Sequence, residues 1–184
     1  SMLILASESP RRRELLGRLG IPFETEPAAV GELDTLPDPR EVPLRNAERK
    51  AEAVAIRHPG DLVLGSDTVI VAGDRVIGKP RDEADALDIL LSLAGTTHEV
   101  ITGLALMREN DGVRKSWTET TFVTFKPFGR AEAQRYLSLV PVLDKAGAYA
   151  IQEHGDLIVD RIEGSLENVI GLPLDRLQKE LVIL

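Results

Sequence analysis

The chain contains no cysteine, which removes disulfide scaffolds, thiolate zinc sites and thiol nucleophiles from consideration. A reducing, cytoplasmic setting agrees with that absence. No apolar stretch is long enough to cross a bilayer, and no basic leader precedes the short apolar run Met2 to Ala6, so neither a membrane span nor a secretory signal is expected. Basic residues are in deficit: 22 Lys and Arg stand against 30 Asp and Glu, a formal net charge of -8. Broad binding to nucleic acid needs many cations along the phosphates and is not expected. Any anionic ligand must therefore meet a local basic cluster. His58, His98 and His154 lack metal-ligand spacing, so no zinc site is expected. The Gly-x-x-x-x-Gly-Lys-Ser/Thr loop, the Gly-x-Gly-x-x-Gly turn after a strand and the Gly-x-Ser-x-Gly elbow are absent as well, which leaves P-loop, dinucleotide-binding and α/β-hydrolase readings without support.

What is present suits a folded α/β protein. With 43% hydrophobic and 28% charged residues over 184 positions, the chain can bury a substantial core, and a single domain over residues 1–184 is expected. Leu3 to Ala6 reads as a buried strand; Ser9 and Pro10 then supply an N-cap and a proline at the first helical position. That helix carries Leu15, Leu16 and Leu19 and ends at Gly20 before Pro22. Residues 24–40, rich in proline and acids, read as an exposed loop that carries Glu32. A helix over about 40–57 presents Leu44, Ala47, Ala51, Val54 and Ala55 on one face, with Lys50 at its edge. Residues 62–71 form a nearly continuous strand interrupted by Asp67, with a short partner strand starting at Asp74 and Arg75. A helix over 82–93, a hairpin of strands 98–109 and 113–125, a helix over 129–139, a strand over 156–162 and a final helix from Pro173 complete the pattern. Strands alternating with helices around one long hairpin predict a mixed, twisted α/β sheet flanked by helices, with ligands in a crevice at strand ends.

Several positions carry candidate chemistry. The turn from Ser7 through Ser9 to Arg11 and Arg12 combines helix N-terminal amides, hydroxyls and two guanidinium groups, a receptor for a phosphate oxyanion. Alone, it fits a capped helix with solvated arginines more readily. Asp67 sits in an otherwise apolar strand, where a carboxylate needs a partner, a hydrogen bond or a metal. Hydrogen bonds from Ser66 or Thr68 at an exposed strand end are its other explanation. Glu32 and Lys79, taken singly, also suit plain surface positions.

Together, Ala6-Ser7-Glu8-Ser9-Pro10-Arg11-Arg12, Gly65-Ser66-Asp67-Thr68-Val69, Gly78-Lys79-Pro80, Thr97-His98-Glu99-Val100-Ile101-Thr102-Gly103, Asp144-Lys145-Ala146-Gly147-Ala148-Tyr149-Ala150-Ile151-Gln152 and Asn168-Val169-Ile170-Gly171-Leu172-Pro173-Leu174 resemble the Maf family of nucleoside triphosphate pyrophosphatases. The match runs through almost the whole chain in order. The resemblance implies a two-lobed α/β fold with a central cleft, similar to the inosine triphosphatase fold, and frequently a homodimer. It implies hydrolysis of a nucleoside triphosphate to monophosphate and pyrophosphate with a divalent cation, Mg²⁺ or Mn²⁺. By position it makes Ser7, Arg11 and Arg12 phosphate contacts, Lys50 and Lys79 further cations, Glu32 and Asp67 the catalytic and metal-holding acids, and Gln152 a base-side residue. Arg11, Thr68 and Gln152 resemble the members that act on dTTP and UTP, so those nucleotides, or modified pyrimidine nucleotides cleared from the pool, are the expected substrates. The chain departs from the family pattern at Thr96, at Val140-Pro141-Val142 and at Glu153. Expected mechanism follows from charge: Asp67 activates a water for attack at the α-phosphorus while the cations stabilise departing pyrophosphate. The alternative is a nucleotide-binding regulator of septum formation without significant catalysis.

Overall fold

A computed structural model describes residues 2–184. Its centre is a seven-stranded mixed sheet, six strands of which follow the order β2-β1-β3-β5-β6-β7 while β4 pairs with β3 off that path; the strands are β1 (Leu3–Leu5), β2 (Phe23–Thr25), β3 (Leu62–Ala72), β4 (Arg75–Ile77), β5 (Thr97–Arg108), β6 (Val113–Phe125) and β7 (Val159–Glu163). β1 runs parallel to both β2 and β3, whereas the β3, β5, β6 and β7 pairings are antiparallel. The expected hairpin is β5 and β6, joined through Asn110 to Gly112, where Gly112 takes φ 67°.

The sheet has a gap that decides where the site lies. β5 occupies one edge of β3 from Val63 to Val71. On the other edge β1 pairs only at Leu62 to Leu64, and β4 only at Ile70 to Ala72. Gly65 to Val69 are left between these two short strands, so both faces of β3 open sideways into the same space. β1 ends there too, and its chain turns into helix α1 (Pro10–Gly17).

Helix α2 (Val42–Ala55) covers one face of the sheet through Ala47, Ala51, Val54 and Ala55, packed with Val63, Ala105 and Met107. The other face carries two apolar clusters. One joins Leu15 and Leu16 of α1 and Leu177 of α6 (Asp175–Ile183) to Leu64, Leu104, Leu106 and Trp117. The second joins Leu90 and Leu93 of α3 (Glu83–Leu93) and Tyr136 of α4 (Arg130–Leu139) to Ile70, Val100, Val123 and Phe125. Both clusters use the same three long strands, one at each end, which gives the molecule two lobes on a shared sheet. No helix among the described residues is long and apolar enough to cross a membrane.

Four details differ from the sequence-based reading. The proline- and acid-rich loop does not begin at residue 24, because Phe23–Thr25 pairs with β1 as an edge strand. The strand expected at 156–162 starts at Val159, after a 3-10 turn at Gly155–Leu157. An unexpected short helix, α5 (Leu166–Ile170), is capped by the Ser165 hydroxyl, which accepts from the Asn168 amide. The last helix starts at Asp175, and Pro173 lies buried ahead of it.

Candidate active site

Close approach of α2 to the sheet builds the acidic half of the site. Gly65 and Gly103 lie on the α2 face, and a Cβ on either would run into helix backbone, the Ala47 carbonyl for Gly65 and the Pro43 carbonyl for Gly103. Gly103 is also the cross-strand partner of Asp67. With both glycines bare, α2 settles low enough for Asn46 and Lys50, one turn apart on its inner face, to reach Asp67. The carboxylate is buried, yet satisfied: Asn46 Nδ2 donates to Oδ2 at 2.9 Å and Lys50 Nζ approaches Oδ1 at 3.5 Å.

Asn46 does a second job. Its Nδ2 also donates to the Leu33 carbonyl at 3.0 Å, and its Oδ1 accepts from the Leu33 amide at 2.7 Å. This paired contact pins the loop next to Glu32, whose carboxylate lies 2.9 Å from Lys50 Nζ. One lysine thus bridges the two acids, and one asparagine sets their positions. Partial burial pushes the Glu32 carboxyl upward, but the hydrogen-bonded Lys50 ammonium, with Lys79 and Arg12 beyond it, holds it below the ordinary glutamate value.

The cationic half comes from α1. Ser9 caps the helix, its hydroxyl accepting from the Arg12 amide at 3.2 Å, and Ser7 Oγ accepts from the Ser9 amide at 3.1 Å. Arg12 then reaches the open stretch of β3. Its Nε donates to the Gly171 carbonyl at 3.0 Å and its Nη2 to Thr68 Oγ1 at 3.0 Å. Thr68 is braced in turn by Thr102 at 2.8 Å. Burial lowers the Arg12 pKa, and the Asp67 charge opposes that fall; a guanidinium stays charged at any physiological pH.

These groups line a cavity of about 1030 Å³ that runs along the gap between β1 and β4, large enough for a nucleotide. Arg11, Arg12, Glu32, Lys50, Asp67, Thr68, Lys79 and Gln152 all lie on its wall. Of the residues expected from the sequence, Ser7 alone is not part of the lining; its hydroxyl is turned toward the Ser9 amide. Arg11, Lys79 and Gln152 are exposed and face the cavity without a hydrogen-bond partner in the acidic cluster.

Asn46 is not among the residues expected from the sequence, although a polar residue one turn before Lys50 in an alanine-rich face is a readable signal. Asp144 and Lys145, which have no role in the sequence-based reading, line the cavity as well. Lys145 Nζ donates to the Pro141 carbonyl at 2.7 Å and lies 3.8 Å from Glu153, so two departures from the family pattern meet at this one lysine.

Glu32 and Asp67 are the carboxylates that could hold a divalent cation. No trio of Asp, Glu, His or Cys forms an all-protein cage among the described residues. Two convergent acids beside a cavity fit a magnesium-type ion, which usually takes one or two protein carboxylates and completes its shell with water and substrate phosphate.

Comparison with known proteins shows the family. The family model described as Maf-like protein matches residues 2–183. A protein of Anaeromyxobacter dehalogenans (strain 2CP-C) named dTTP/UTP pyrophosphatase is 48% identical over 176 residues, covering 94% of this chain and 88% of that one. Proteins of the same name from Akkermansia muciniphila and Latilactobacillus sakei are 44% and 42% identical; the first match covers 96% of this chain and 93% of that protein, the second 98% and 99%. Among solved structures, the Ham1 protein of Staphylococcus aureus matches with a TM-score of 0.58 at 15% identity, covering 99% of this chain and 98% of that one. That likeness concerns the fold alone.

Proposed function

This chain belongs to the Maf-like protein family, and on that premise we propose that it is a nucleoside triphosphate pyrophosphatase that hydrolyses dTTP and UTP to the monophosphate and pyrophosphate. Relatives bearing that activity in their names, 42–48% identical over nearly the whole chain, support the reaction and the pyrimidine substrates. The observation that carries the reading is the convergence of Arg11, Arg12, Lys50 and Lys79 with Asp67 and Glu32 on one cavity.

A nucleoside triphosphate carries about four negative charges, and phosphoryl chemistry is governed by positioning and charge stabilisation. In a protein of net charge -8 such a ligand needs this local basic field. Asp67 acts as the general base: it takes a proton from water as the water oxygen attacks the α-phosphorus and the bond from that phosphorus to the bridging oxygen of the β-phosphate breaks. Arg11, Arg12 and Lys79 stabilise the charge that collects on the leaving pyrophosphate. Lys50 holds Asp67 and Glu32 together, so that both acids face the same reacting centre. A divalent cation, Mg²⁺ or Mn²⁺, held by Glu32 and Asp67, supplies charge neutralisation on the phosphates when bound. Thr68 orients Arg12, and Gln152 lies on the base side of the cavity.

The pooled cytoplasmic nucleotides are the natural supply for this reaction; the family resemblance supports a homodimer, and the net charge of -8 argues against a nucleic-acid partner. A regulator that only binds nucleotide is not favoured, because phosphate binding does not call for two carboxylates against the cations. The test is pyrophosphate release from a panel of ribo- and deoxynucleoside triphosphates with and without Mg²⁺. Release from dTTP and UTP that depends on the metal is expected, with Asp67→Asn slower by about 10²–10⁴-fold. Near wild-type turnover of that variant sinks the assignment of Asp67, and tight binding without release on every nucleotide sinks the enzyme.

A further inference from the structure

The chain has only two tyrosines, and both grip the segment that leads into Gln152. Tyr136, on α4, makes a double contact with a single residue: its hydroxyl accepts from the Ala150 amide at 3.0 Å and donates to the Ala150 carbonyl at 3.1 Å. Tyr149 pairs through its hydroxyl with His98 Nε2 at 2.7 Å, and its ring packs edge-on against Phe125. Both phenols sit in the core, and burial pushes the Tyr136 hydroxyl up to about 12, so it keeps its proton and both of its hydrogen-bonding roles.

The gripped segment is strained. Gly147, Ala148 and His154 take φ of 74°, 61° and 54°, and the left-handed region is costly for residues other than glycine. Two of the three such non-glycine residues among those described therefore bracket Tyr149 to Glu153. A backbone held in that conformation by two buried phenols fixes the position from which Gln152 projects.

Resting on the proposed reading of Gln152 as the base-side residue, we propose that Tyr136 is a positioning residue for nucleobase selection, holding Ala150 so that Gln152 meets the base at a fixed height and angle. The need for such a device follows from the chemistry of the amide. Uracil and thymine offer an N3–H donor beside an O4 acceptor, and cytosine offers the reverse order. A glutamine amide matches either order by a half-turn about its last torsion. Residue type alone does not separate these bases; a fixed location does, by making one order fit and the other strain.

The experiment compares Tyr136→Phe with the native chain in pyrophosphate release from UTP and CTP. The variant keeps the ring and loses only the hydroxyl. Expected is a fall of roughly tenfold in the UTP-to-CTP ratio of kcat/KM, within what one bidentate contact contributes to base discrimination, with kcat on UTP nearly unchanged. An unchanged ratio, including one in which all nucleotides slow equally, overturns the proposal. Hydrogen exchange on the nucleotide-free native protein supplies a second arm that needs no variant: the Ala150 amide should be strongly protected relative to the exposed Gln152 amide, and equal rates overturn the proposal too. A native protein that releases no pyrophosphate would defeat the proposed function, while the exchange arm still decides whether the clamp exists.

Discussion

The side-chain amide of Asn46 joins Asp67 to the Glu32 loop, donating to Asp67 Oδ2 at 2.9 Å while exchanging a pair of hydrogen bonds with the Leu33 backbone. Two acids that lie 35 positions apart in sequence are placed by a residue that is itself neither acid nor base. Because every polar atom of this amide is used, its loss is felt on both sides.

Asn46→Ala is accordingly expected to lower kcat on dTTP by about ten- to a hundredfold, the range seen when a residue that orients a site's ligands is removed. It should also cost roughly 1–3 kcal/mol of stability, since buried partners lose their hydrogen bonds. Steady-state kinetics and chemical denaturation check the two effects. A variant with full kcat and lowered stability would leave Asn46 a purely structural residue.

The glycines beneath α2 test the same placement from the backbone. Gly65→Ala and Gly103→Ala each put a methyl group into the backbone of α2, at the Ala47 and Pro43 carbonyls, and overpacking of this kind typically costs about 1–3 kcal/mol. Relief requires α2 to rise, which draws Lys50 and Asn46 away from Asp67. Both substitutions should therefore reduce activity as well as melting temperature. Gly78→Ala, at a site with open space around it, should change stability little and serves as the control.

Arg12 holds two partners with two different nitrogens, Nε to Gly171 and Nη2 to Thr68. Arg12→Lys preserves charge but offers one compact ammonium that cannot hold both partners at once. KM for the triphosphate is expected to rise by roughly tenfold, as one charge-assisted hydrogen bond is lost, and Thr68→Val should give a smaller change in the same direction. Equal KM values for wild type and the Arg12→Lys variant would mean that the fork geometry has no part in substrate binding.

Much of this was legible beforehand, for reasons visible in particular residues. The N-cap at Ser9, the proline at Pro10 and the apolar spacing of Leu15, Leu16 and Leu19 are local signals, and α1 forms where they predict it. The buried strand around Asp67 and the long hairpin were equally plain. Phe23–Thr25 was not, because three residues beside a proline-rich loop carry no period, and their pairing with β1 is a tertiary contact. The same limit hid the gap between β1 and β4: which edge of β3 each short strand takes is nowhere written in local pattern. For the site, the acids and cations stood out as unusual residue types. The groups that position them are ordinary residues: Asn46, Gly65 and Gly103 acquire their role only once α2 is laid on the sheet, and Thr102 only once β5 pairs with β3 beside Thr68.

His98 links stability to pH in a direction that can be worked out. Its imidazole is enclosed against Phe125 and Tyr149, with Nε2 bonded to the Tyr149 hydroxyl and Nδ1 unpartnered. Burial lowers its pKa to about 4, whereas the unfolded chain binds the proton near 6.5. Between those values the unfolded state holds more protons, so stability is full above about pH 6.5 and is lost as pH falls toward 4, by about 2 kcal/mol at pH 5. The phenol of Tyr149 stays protonated throughout, its pKa raised by its own burial, and adds nothing to the slope. Denaturation of the wild type across pH 7 to 5 should show this loss, and His98→Gln, which keeps a hydrogen bond to Tyr149 but cannot titrate, should flatten it. The slope belongs to His98 only if that substitution removes it: an equally steep fall in the variant assigns the pH dependence to other groups of the chain and leaves the buried imidazole without a part in it.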